Sequence, residues 1–111
     1  MPSALEEEVA RVAEAFRVDA AAMLRIAEPS RRRPLRECWA RGVAMWLVRE
    51  RWRPRPSLGE IAAMFGMSEA SSVKSSIGVV LRHIERGTDV GQLALLLARP
   101  SSAPPRLRVL P

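Results

Sequence analysis

The chain of 111 residues has no tyrosine, one cysteine, one histidine and one lysine, and no apolar run long enough to cross a bilayer. Each shortage removes a class of function. A single thiol, Cys38, excludes an internal disulfide and offers no pair of sulfur ligands for a metal; beside Trp39 in an apolar stretch it reads as a core or half-buried thiol. The one imidazole, His83, has no serine or cysteine at a recognised spacing to form a nucleophile and base with it, and reads as a surface residue. Glu6, Glu7 and Glu8 sit where a helix start favours negative charge rather than as an acid and base. No enzyme activity, cofactor, metal or small-molecule substrate is therefore expected. Without tyrosine, and with Phe16 and Phe65 in apolar settings, a surface for stacking RNA bases is disfavoured. A membrane span needs about 20 apolar residues, and the acidic opening is the reverse of a secretory leader, so a cytoplasmic protein with no membrane partner is expected. Sustained apolar and polar alternation is also missing, which leaves no strand signal.

What the chain has instead is arginine. Seventeen of its 18 basic residues are Arg, against 12 acidic ones, for a net charge of +6. Nine of the arginines fall between Arg31 and Arg55, opposed only by Glu37 and Glu50, whereas Glu6, Glu7, Glu8 and Glu14 near the start face Arg11 alone. A positive field concentrated in this way favours a polyanionic partner, because each neutralised phosphate releases counterions.

The periodicity describes an all-α fold of five to six helices, in one domain over 1–99, followed by a proline-rich tail over 100–111 that is expected to be flexible. Ser3 and Glu6 form a capping-box pattern before a first helix whose stripe is Leu5, Val9, Val12, Ala13 and Phe16, with the glutamates on the other face. Asp19 can cap a short second helix through Met23 and Leu24. A third runs from about Leu35 to Trp52, with Trp39, Val43, Trp46 and Leu47 on one apolar face, until Pro54 and Pro56 stop it. Ser57 and Glu60 repeat the capping-box pattern before a fourth helix reaching about Phe65, and Gly66 supplies a turn. The fifth starts near Ser68 and carries Val73, Ile77, Val80, Leu81 and Ile84 to Gly87. The sixth, capped by Thr88 or Asp89, carries Val90, Leu93, Leu96 and Leu97.

Residues 57–86 have the order of small and large residues of a helix-turn-helix: Ile61 and Phe65 inward, Ala62 where helices cross, Gly66 at the turn, then Val73 and Ile77 packing back. At about 100° per residue, the opposite side of the fifth helix presents Ser71, Ser75, Gly78 and Arg82, flanked by Ser68, Ser72 and Lys74. Hydroxyls and amides at a helix start can bond phosphates or base edges, and small side chains let a backbone sit deep in a groove. The alternative for these serines is exposed filler, or packing against another helix. The Arg31, Arg32 and Arg33 run, between Glu28-Pro29 and Pro34, is a second candidate contact, for phosphates or a narrow minor groove; its alternative is a solvated loop.

On VAEAFRV, RRRP, ARGVAMWLVRE and SLGEIAAMFG, residues 9–85 resemble the C-terminal DNA-binding domain of the bacterial replication initiator DnaA, of the Trp-repressor-like class. The resemblance implies a basic loop in the minor groove and an Arg-Asp-His-Ser/Thr-Thr-Val signature reading bases in the major groove. Here those signature positions are Ser68, Glu69, Ala70, Ser71, Ser72 and Val73, so the arginine and histidine readers are absent. Similar domains, with serine-rich signatures, occur on some transposases. No G-x-x-x-x-G-K-[ST] loop accompanies the domain in this chain. The expected function is a small double-stranded DNA-binding protein, with contacts at Arg31, Arg32, Arg33, Arg41, Ser57, Ser68, Glu69, Ser71, Ser72, Lys74 and Ser75. The alternative is a non-enzymatic protein-interaction module, docking a protein partner on the fifth helix or on Val79 and Met67.

Overall fold

Helix α1, Ala4–Phe16, is started by the expected capping box: the Ser3 hydroxyl accepts from the Glu6 amide and the Glu6 carboxylate accepts from the Ser3 amide. The computed structural model describes residues 3–24 and 34–99, and among them it contains six helices and no strand. The segment 25–33 and the tail 100–111 lie outside the described residues.

Val9, Val12, Ala13 and Phe16 form the buried face of α1. The helix ends on Arg17, whose left-handed φ of 57° lets its amide bond back to the carbonyls of Ala13 and Glu14. Asp19 then caps α2, Ala20–Leu24, its carboxylate accepting from the Ala21 amide at 3.2 Å. Helix α3, Leu35–Arg51, differs from the one-faced helix that Trp39, Val43, Trp46 and Leu47 suggest: every residue from Ala40 to Val48 is buried. The reason is topological, since α3 is packed against all five other helices. A helix enclosed in that way has no solvent side for a polar stripe.

Ser57 and Glu60 make the second capping box, at α4, Leu58–Met64, and Gly66 carries the turn at a φ of 68°. Helix α5, Ala70–Arg86, begins slightly later than Ser68 would place it, with Glu69 in extended backbone as its N-cap. Gly87, at a φ of 68°, closes it, and Thr88 caps α6, Asp89–Ala98, by accepting from the Gly91 amide.

Two glycines permit the close approaches that hold α5. A Cβ on Gly42 would lie 3.2 Å from Val80 Cγ2, so α3 and α5 cross closely there. A Cβ on Gly91 would fall 2.2 Å from the His83 carbonyl oxygen, so the start of α6 is pressed onto the backbone of α5. Gripped by α3, α4 and α6, α5 turns its Val73 and Val80 fully inward, while Leu81 is left 50% exposed rather than joining them. On α6 the buried residues are Val90, Gly91 and Ala94, and Leu96 is 54% exposed. Both leucines depart from the sequence expectation because the neighbours of a helix, and not its own period, fix where the apolar stripe is centred.

Candidate nucleic-acid interface

The α4 and α5 pair is built from its caps upward. Ser57 Oγ accepts from the Glu60 amide at 3.1 Å, and Glu60 accepts from the Ser57 amide at 2.8 Å. The backbone hydrogen bond from Ser57, reinforced by its hydroxyl, holds the Glu60 carboxyl below its ordinary value. The Ser57 hydroxyl is thus engaged on both sides of the box, accepting from the Glu60 amide and donating toward the Glu60 carboxylate.

Beyond the turn, Ser68, Glu69, Ala70, Ser71, Ser72, Lys74 and Ser75 are all exposed, around the buried Val73. Every site residue that the sequence suggests between Ser68 and Ser75 is therefore solvent-accessible, in the turn before α5 or in its first two turns. Glu69 does not cap α5 through its side chain; its carboxylate instead accepts from Ser71 Oγ at 3.2 Å. The first turn of α5 is thus open at its end and carries hydroxyls and one ammonium. One turn further along, a Cβ on Gly78 would meet nothing nearer than Arg82 Nη1, at 3.8 Å. Packing among the described residues does not require a glycine there. A glycine inside a helix destabilises it by about 1 kcal/mol relative to alanine.

The arginines divide. Arg31, Arg32 and Arg33 fall outside the described residues. Arg41, suggested by the sequence as a DNA contact, is corrected: it is buried, and its guanidinium donates to the carbonyls of Met23 and Phe65 while stacking over the Phe65 ring at 6.0 Å. Its alkyl stem fits the enclosed middle of α3, and the carbonyls at two helix ends supply the acceptors that its charge demands. After it, Arg49, Arg53 and Arg55 donate to the carbonyls of Pro56, Trp52 and Arg49, and Arg55 also pairs with Glu50 at 3.0 Å. These cations satisfy carbonyls at and just beyond the negative end of α3 and still leave a basic surface beside the start of α4.

One ionic group is not legible from the sequence pattern of α1. Glu8 is buried rather than on the solvent face of that helix; it pairs with Arg11 at 2.8 Å and lies 3.9 Å from Arg51. Both arginines also donate to the Leu97 carbonyl, each at 3.1 Å, which ties the end of α6 to α1 and α3. The i, i+3 spacing of Glu8 and Arg11 is the one signal that points to it.

The remaining candidates for chemistry, Cys38 and His83, lie at one cleft. Cys38 is exposed, not the core or half-buried thiol its surroundings suggest. His83 is half-buried, with Nδ1 2.8 Å from Thr88 Oγ1 and its ring edge-on to Trp39 at 5.9 Å. Together with Leu35, Val79 and Val80 these residues line an apolar cleft of about 250 Å³ between α3 and α5. Among the described residues no cluster of His, Cys, Asp or Glu could hold a metal, and no helix is long and apolar enough to cross a membrane. No protein-family model, curated protein or solved structure matches this chain.

Proposed function

We propose that this protein binds double-stranded DNA, with α4 and α5 acting as a helix-turn-helix and the first turns of α5 entering the major groove. The observation that carries the proposal is the stripe of exposed Ser71 and Ser75 and half-buried Gly78, with Lys74 exposed beside it, on a helix whose opposite side is anchored in the core. Small side chains bring the α5 backbone close to base edges, and Gly78, unexplained by internal packing, suits the approach of another backbone. Lys74 and Ser68 supply donors for phosphates near the start of α5, and the net charge of +6 supplies attraction at longer range. The resemblance to the DnaA C-terminal domain points the same way, with Arg31, Arg32 and Arg33 as its second contact.

Enrichment of preferred duplexes from a random pool tests this reading. The protein should select a motif of a few base pairs, and Ser71→Ala or Lys74→Ala should change that motif. A pool left unenriched by the unaltered protein would refute sequence-specific recognition. One observation favours the alternative of a protein-interaction module: the α3 and α5 cleft is apolar, and Leu35 on its rim is 63% exposed. In that case Val79→Asp would abolish capture of a protein partner and leave DNA affinity as it was.

A further inference from the structure

Arg41 is 9% exposed in the middle of α3, and its guanidinium reaches two separate parts of the chain. One hydrogen bond goes to the Met23 carbonyl in the last turn of α2. A second, at 3.4 Å, goes to the carbonyl of Phe65, the C-cap of α4, whose ring also lies under the guanidinium. The Phe65 carbonyl, at the C-cap of α4, lies at the negative end of that helix, where a cation is favoured. Phe65 is also where the chain leaves α4 for the short passage through Gly66, Met67, Ser68 and Glu69 into α5. Whatever fixes the Phe65 carbonyl fixes the entry of α5. Only a planar fork with several rigidly placed donors can hold two carbonyls and a ring face at once; a lysine ammonium keeps the charge without that geometry.

We propose that Arg41 is a positioning residue: by holding the last turn of α2 and the end of α4 on one guanidinium, it sets the angle at which α5 is presented to DNA. The inference rests on the DNA-binding reading. It assigns Arg41 no contact with DNA, and its effect belongs to discrimination between sequences rather than to general attraction, because groove readout depends on the placement of α5 whereas phosphate attraction depends on charge.

The test compares the unaltered protein with Arg41→Lys, checked for folding by circular dichroism, on a duplex selected from the random pool and on random-sequence duplex. Arg41→Lys should bind random duplex within about twofold of the unaltered protein, with the same salt dependence, and lose about tenfold in the ratio of selected to random affinity. A folded Arg41→Lys protein with full discrimination would overturn the inference while leaving DNA binding intact. An unaltered protein that binds neither duplex would overturn the DNA reading and this inference with it. Should Arg41→Lys fail to fold, nuclear magnetic resonance of the unaltered protein decides. The Arg41 side-chain protons should stay close to Met23 and Phe65 in the DNA complex, and proximity of those protons to DNA sugars would contradict the positioning role.

Discussion

Glu8 occupies a position that its own helix assigns to solvent and its neighbours assign to the interior. Its carboxylate is held by Arg11 and approached by Arg51, and both arginines reach the end of α6. Glu8→Ala should lower stability by about 1–2 kcal/mol, the range for removing a charge-assisted hydrogen bond while leaving the arginines able to reach water. Urea unfolding with an unchanged slope would check it. A second residue-scale expectation concerns Ser57. Ser57→Ala removes the hydroxyl that caps α4, a loss of about 1 kcal/mol, and should raise the Glu60 carboxyl toward its ordinary value. Because the folded-state value of Glu60 is lowered, its contribution is present above the ordinary carboxylate range and is lost as pH falls through that lowered value. The acid-side loss of stability should therefore shrink in Ser57→Ala, as followed by carboxyl carbon titration and unfolding at neutral and acidic pH. At this scale the sequence is least informative. Nothing local to Arg41 says that Met23 and Phe65 will surround it, and nothing local to Cys38 says that α3 will leave it at a cleft mouth; both depend on packing with distant segments.

Among the helices far more was legible, and for an identifiable reason: caps are local. The boxes of Ser3 with Glu6 and Ser57 with Glu60, the Thr88 cap and the glycines at 66 and 87 all lie within a few residues of the ends they mark. The end of α1 was harder, since Arg17 adopts a left-handed conformation that ordinarily signals glycine or asparagine. The all-round burial of α3 and the outward turn of Leu81 depend on how helices are arranged, which one helix period cannot encode. Helix crossings give the sharpest expectations here. Gly91→Ala places a methyl against the His83 backbone and should destabilise by more than about 2 kcal/mol, since backbone cannot yield as a side chain does. Gly78→Ala should do the opposite, raising stability by about 0.5–1 kcal/mol, because its Cβ would make only an ordinary contact with the end of Arg82. The same Gly78→Ala change should weaken DNA binding, as a Cβ keeps the α5 backbone from its groove. Thermal unfolding and duplex affinity measured on one preparation would show whether stability and binding move in opposite directions.

For the whole molecule the central matter is charge placed on a rigid frame. Five helices packed around a buried α3 hold the start of α5 outward, and the chain carries an excess of six positive charges. Replacing Arg31, Arg32 and Arg33 with alanine should weaken binding to all sequences alike and reduce the salt slope by roughly 0.9 for each phosphate no longer neutralised. The most direct measurement is fluorescence anisotropy of labelled random-sequence duplex titrated with this protein at about 50 mM and about 200 mM salt. Saturable binding that weakens steeply at the higher salt is the expected result. No binding at the lower salt, or binding indifferent to salt, would contradict the assignment of this domain to DNA.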